Sequence, residues 1–169
     1  KGMRDNIKLG EGGIREIEFI GQVFQLIHGG RDLPLQQRPI LTVLDLLSER
    51  QFLSQSTIDE LKRAYIFLRR VEHRIQAFAD KQTHQLPEDK AGLLRIAKLM
   101  GFNSSPDFLF VLGKYRSQVQ SHFELLLTRG AVKDIEEVSL LTSVDEEKVS
   151  YLTGLGFQKP KVIVSYLAG

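Results

Sequence analysis

The feature that most restricts this chain is a pair of long apolar series at helical spacing. Ile58, Leu61, Tyr65, Leu68, Val71, Ile75 and Phe78 recur three or four residues apart, a period that lines one face of an α-helix and no face of a strand. Phe108, Leu112, Tyr115, Val119, Phe123 and Leu126 repeat the arrangement. Neither stripe is stable in water, because burying one large apolar side chain is worth about 1.5–3 kcal/mol. The spacing therefore predicts two long antiparallel helices that share a core. The first is expected to open on a capping box at Ser56-Thr57-Ile58-Asp59 and to run about six turns. The second is expected to start with Ser105 as N-cap and Pro106 as first helical residue.

Shorter helices flank this pair. Residues 14, 17, 20, 24 and 27 are apolar, with 19, 23 and 26 beside them, a band too broad for a surface helix, so Ile14 to His28 is expected to be buried on most sides. Gly29-Gly30 stand where a left-handed C-terminal cap is wanted, and Pro34 and Pro39 bracket an extended connector. Ile40 to Gln51 reads as a short helix with Ile40, Val43, Leu44 and Leu47 on one side. Leu93, Ile96, Ala97 and Met100 form another, closed by Gly101. The expected fold is all-α: a helical bundle over residues 1–129. Beyond Arg129-Gly130 the composition turns acidic and polar. Residues 130–169 read as a linker and the start of a further helical region, a short helical C-terminal extension with a cap near Ser143 to Glu146 and a last helix that takes Pro160 in its first turn.

Charge excludes several functions. The 23 basic and 21 acidic residues nearly cancel and are interspersed, which disfavours nucleic acid and membrane surfaces as partners. With no cysteine there is neither a disulfide nor a thiolate metal site. No apolar run reaches the roughly 18 residues of a membrane span, and no signal-peptide pattern opens the chain. A soluble cytoplasmic protein is expected. The first residue is Lys1 rather than Met, so the chain is expected to be part of a longer one.

One stretch is unusual for a helical protein: Lys8-Leu-Gly-Glu-Gly-Gly-Ile-Arg-Glu-Ile-Glu-Phe19. Gly10, Gly12 and Gly13 admit backbone conformations closed to other residues and could present amides at the positive end of the following helix, a geometry that suits an anion. The bland alternative is a tight turn into a helix, since no phosphate-loop pattern is met. On that helix Arg15, Glu18, Gln22 and Gln25 are spaced to share a narrow polar stripe. Buried polar groups left unpaired cost on the order of 1–3 kcal/mol each. The stripe must therefore pair inside the bundle or face a polar cleft on another domain.

The other candidates are weaker. His28, His73, His84 and His122 have no metal-ligand spacing and read as structural or surface residues. The run Leu68-Arg-Arg-Val-Glu-His-Arg-Ile75 is interrupted by Glu72 and reads as charges on a solvated helix face. No catalytic set and no metal site can be assembled.

The opening stretch, continued as Glu18-Phe-Ile-Gly-Gln-Val-Phe-Gln-Leu-Ile-His-Gly-Gly-Arg31, resembles the segment that follows the N-terminal nucleotidyltransferase domain in bacterial glutamine synthetase adenylyltransferases, which both attach and remove adenylyl groups. Leu33-Pro-Leu-Gln-Gln-Arg-Pro-Ile-Leu-Thr-Val-Leu44, Ala64 to Gln76 and Asp80 to Pro87 are similar to successive pieces of the same segment. The resemblance covers about residues 1 to 127. The form Gly-Gly-Ile-Arg-Glu-Ile-Glu-Phe resembles that of the adenylyl-removing half. Gly21 departs from the bulky apolar residue usual there. The PII uridylyltransferases have a similar Gly-Gly-Leu-Arg-Asp form.

This resemblance implies a helical domain packed beside its own nucleotidyltransferase domain, with glutamine synthetase and the PII signal protein as partners. Mg2+, ATP, ADP and phosphate belong to the full-length enzyme. The carboxylates that hold magnesium in the family, on a G-S-x-x-D-x-D motif, are absent from this sequence. The isolated chain is accordingly expected to bind none of these and to be inactive. Lys8, Gly10, Gly12, Gly13, Arg15 and Glu18 become the candidates near phosphate or nucleotide. The competing reading is a regulatory module that binds PII or glutamine synthetase, with the glycine motif only a hinge.

Overall fold

In the computed structural model, which describes residues 5–79 and 83–129, the chain forms five α-helices: α1 (Ile14–His28), α2 (Ile40–Glu49), α3 (Gln55–Ala79), α4 (Lys90–Leu99) and α5 (Ser105–Arg129). A 3-10 turn, Leu33–Leu35, interrupts the connector between α1 and α2. The only pairing of extended backbone among the described residues is an isolated antiparallel bridge between Asn6 and Gln85. The helices expected around 143–146 and 156–167, and the boundary after 129, lie outside the described residues.

The helix α3 packs against each of the other four, as its apolar series requires: Ile58, Leu61, Ala64, Leu68, Val71 and Ile75 are all essentially inaccessible to water. Cross-contacts give the directions. His122 pairs with Glu60 at 2.7 Å, while Phe67 lies 4.7 Å from Tyr115 and 6.5 Å from Phe108 between ring centroids. Rising numbers on α3 thus meet falling numbers on α5, and the two long helices are antiparallel as expected. By the same test α1 runs parallel to α5, with Gly12 against Arg116 and Phe19 edge-on to Phe123. The core is closed by two aromatic groups, Phe67, Phe102, Phe108 and Tyr115 under α4, and Phe24, His28 and Phe52 at the far end of α1.

Helix ends differ from the sequence reading by small steps with clear causes. Ser54, not Ser56, caps α3: its Oγ accepts the N–H of Thr57, and Ser56 already lies in the first turn. Ser104, not Ser105, caps α5 by accepting the N–H of Asp107, which leaves Pro106 as the second helical residue, where a missing N–H also costs nothing. Gly101 does end α4 in the left-handed region at φ 87°, with Phe102 N–H bonded to Ala97 O and Gly101 N–H to Lys98 O. Gly29 does not follow suit. Its φ is −62°, and the end of α1 is capped instead by Gln36, whose amide donates to Gly29 O at 2.8 Å.

The cover on α1 is also narrower than expected. Ile14, Ile17, Phe19, Ile20, Val23 and Phe24 are buried, but Leu26 is 70% exposed. Gly21 faces α2 at a distance where a Cβ would press on Ile40 Cδ1, so the glycine admits that helix. Truncation separates core from surface. Phe108→Ala should lose about 3–5 kcal/mol of unfolding free energy in urea titrations, whereas Phe110→Ala, at a side chain 76% exposed, should stay within about 0.5 kcal/mol of the parent.

Candidate functional site: the glycine turn and the polar face of α1 and α3

The stretch ahead of α1 is a turn built almost wholly from its own backbone. Asn6, 8% exposed, folds its Oδ1 back to accept the N–H groups of Lys8 and Leu9 at 3.0 and 2.8 Å. Ile7 N–H donates to His84 O and Leu86 N–H to Asp5 O, which ties the turn to residues 83–86. Gly12 adopts φ 67°, and a Cβ there would lie 2.1 Å from the carbonyl oxygen of Arg116. Only glycine satisfies both the left-handed backbone and this approach of α5. Arg116 completes the joint by donating from Nε to Glu11 O at 2.8 Å.

The amides that would cradle an anion are engaged. Gly10 N–H donates to Asn6 O, Gly13 N–H to Gly10 O, Ile14 N–H to Ile7 O and Arg15 N–H to Lys8 O. Gly12 N–H donates to the Glu16 carboxylate at 3.0 Å. The geometry at the three glycines is therefore that of the tight turn, and the part of the candidate site open to chemistry is the ring of side chains around it. Glu16 was not singled out by its sequence position. It closes the turn like the acid of a capping box, and burial pushes its carboxyl up to about 7, against the opposing pull of the Gly12 N–H.

Arg15 and Glu18 come together as the helical spacing predicts, with Nη1 and Oε2 2.9 Å apart and the side chains 29% and 22% exposed. Arg15 Nε is buried without a hydrogen-bond partner. Gln22 is exposed on the same line, but Gln25 is not part of it: its amide donates to Leu35 O and Gln37 O and pins the connector. The uncovered line continues through Leu26 instead, because a step of four residues advances a helix face by only a small angle.

Across from this line, α3 contributes the most deeply buried charge of the described residues. Glu72 is 1% exposed, a correction to the solvated helix face expected of its run. It binds Arg69 Nη1, lies 3.8 Å from Lys8 Nζ and has His84 Nδ1 at 2.9 Å, the last out of line for a hydrogen bond. Between the Arg15/Glu18 pair and this group stands Tyr65, half-buried, whose hydroxyl is held above its usual titration range by burial first and by the Glu18 charge next. Lys8, Arg15, Glu18, Tyr65, Arg69, Glu72 and His84 thus form one polar face where α1, α3 and residues 83–86 meet. Among the described residues no three acidic, histidine or cysteine side chains stand where a metal ion would be held. No described helix is long and apolar enough to cross a membrane.

The profile of the GlnD PII-uridylyltransferase family matches residues 2–127. The chain belongs to this family. Among its relatives is the bifunctional glutamine synthetase adenylyltransferase/adenylyl-removing enzyme of Nitrosococcus oceani, 45% identical over 99% of this chain and 18% of the relative. The proteins of the same name from Pseudomonas aeruginosa and Pseudomonas putida are 53% and 44% identical, over 75% and 100% of this chain. The chain spans 13–18% of the length of these three relatives. The profile match ends within α5.

Two measurements test the site's electrostatics. An acid whose carboxyl is raised in the folded state loses stability as pH climbs from its ordinary value to the raised one. Glu16→Gln should therefore match the parent's Tm below pH 4.5 and exceed it above pH 7. Glu72→Gln should act in the opposite sense at neutral pH. It removes the carboxylate shared by Lys8, Arg69 and His84, and should cost on the order of 1–3 kcal/mol in chemical denaturation.

Proposed function

We propose that this chain is the helical segment that follows the nucleotidyltransferase domain in the adenylyl-removing half of a bifunctional glutamine synthetase adenylyltransferase. In that enzyme the removing half uses phosphate to release ADP from adenylylated glutamine synthetase, with PII signal protein in control. The relatives' names support the enzyme, and Gly12 to Phe19, with its arginine at position 15, supports the removing half over the transferring one. The PII uridylyltransferase alternative is weaker, because Glu16-Ile-Glu-Phe19 departs from its Gly-Gly-Leu-Arg-Asp form.

The observation that carries the reading is the uncovered polar face. Lys8, Arg15 and Arg69 are each 27–36% exposed and each is backed by a carboxylate, so three positive charges are held in fixed positions where the turn before α1, α1 and α3 meet. Donors fixed before the reaction stabilise developing phosphate charge without reorganising. In the full-length enzyme this face would lie against the catalytic domain. Arg15, through the exposed part of its guanidinium, would orient phosphate or the nucleotide, and Glu18 would hold Arg15. Gly10, Gly12 and Gly13 would shape the joint rather than touch the ligand. The two carboxylates of this face, Glu18 and Glu72, are engaged by Arg15, Lys8 and Arg69, so magnesium with its ATP or ADP would be carried by the carboxylates of the catalytic domain. The isolated chain would then have no activity of its own.

Arg15→Ala in the full-length enzyme should lower phosphate-dependent deadenylylation at least about tenfold, the order expected for one fixed charge-stabilising group, with unchanged thermal stability. Arg15→Lys should recover only part of it, since an ammonium does not reproduce the guanidinium fork. Unchanged kinetics in Arg15→Ala would remove the proposal for this residue.

A further inference from the structure

The outer face of α3 carries a row of cations that the polar face does not use. Arg63, Ile66, Arg70, His73 and Arg74 are all exposed, following the three- and four-residue steps of one helix side. Among the described residues Arg63, Arg70 and Arg74 take part in no ion pair or hydrogen bond, in contrast with Arg69, one position away from Arg70 and turned to Glu72. The row spans about 16 Å at the helical rise. The acid of α3 in step with this row is Asp59, which accepts a hydrogen bond from Gln55.

The same chain holds a complement. Residues 134–147 contain Asp134, Glu136, Glu137, Asp145, Glu146 and Glu147 and no basic residue. Connectivity allows this stretch to reach the right end of α3. With His122 level with Glu60 and the two helices antiparallel, Arg129 at the end of α5 comes about 10 Å further on, beside the start of α3. Residues 130–136 can extend about 23 Å from there, enough to carry Glu136 to Arg63, and the following residues can reach Arg74. We propose that the acidic stretch 134–147 docks on the arginine row of α3 in the same molecule. Each exposed pair contributes little alone. Covalent attachment, however, places the acids at an effective concentration in the millimolar range, so several weak pairs suffice to favour the docked state at low salt. This inference is independent of the catalytic reading, because it uses the side of α3 that faces away from Glu72.

The absence of cysteine makes the test direct. A nitroxide attached at Ser143→Cys should attenuate the amide signals of residues 63–74 at low ionic strength. The attenuation should vanish at about 1 M salt, where charges are screened beyond about 3 Å, and also in the triple variant Arg63→Glu, Arg70→Glu, Arg74→Glu. Adding Glu136→Lys, Glu137→Lys and Glu146→Lys to that triple variant should restore it, with helicity by circular dichroism unchanged throughout. Attenuation that ignores the substitutions, or that falls on other helices, would overturn the proposal. So would signals attenuated only when spin-labelled and isotope-labelled molecules are mixed, which would assign the row to a second copy. No attenuation in any state would leave the row to a separate acidic partner and equally overturn it.

Discussion

A carboxylate almost wholly removed from water, Glu72, sets the terms for one whole side of this protein. An ionised group in that position must be matched by cations, because an unpaired buried charge costs several kcal/mol. Its neighbours come from three separate parts of the chain: the cations Arg69 from the same helix and Lys8 from the turn before α1, and the His84 imidazole from residues 83–86. Satisfying one acid therefore gathers the entry to α1 and the segment before α4 onto the middle of α3. The backbone bonds between Ile7 and His84 and between Leu86 and Asp5 reinforce the same junction.

The glycine turn depends on a different constraint, close approach. The backbone of α5 at Arg116 occupies the space that any side chain at position 12 would need, and Arg116 then reaches back to Glu11. The turn is thus clamped between residues 83–86 on one side and α5 on the other. Its amides are consumed in holding that shape. This is why the functional reading moves from the glycines to the side chains they position: a rigid turn delivers Lys8 and Arg15 to fixed places, and rigidity is what a charge-stabilising surface needs.

Much of this was legible in the residues. The apolar faces of α3 and α5, the extent of α1, the Gly101 cap and the Arg15/Glu18 pair follow from helical periodicity and local chemistry, which depend on neighbours a few positions away. What escaped has a common cause. Glu72 reads as a break in a basic run until the helix phase shows that Arg69 and Glu72 turn inward while Arg70 and Arg74 turn out. The role of Glu16 depends on the backbone of Gly12, and that of Asn6 on a turn with no strong signature. Gln25 falls on the expected line yet is spent on the connector. Gly29 looks like a left-handed cap, but a side chain seven residues later does that work.

The sequence by itself determined that this chain makes helices, where most of them begin and end, which faces are apolar, and which family the opening motif resembles, because each is a matter of period and short-range hydrogen bonding. Only the tertiary structure decided which side of α1 stays uncovered, which carboxylate is withdrawn from water and which cations it collects. Those outcomes are set when distant segments compete for the same space and the same charge. Position 12 against Arg116 and residue 72 against residues 8 and 84 are the instances here, and no local pattern encodes them.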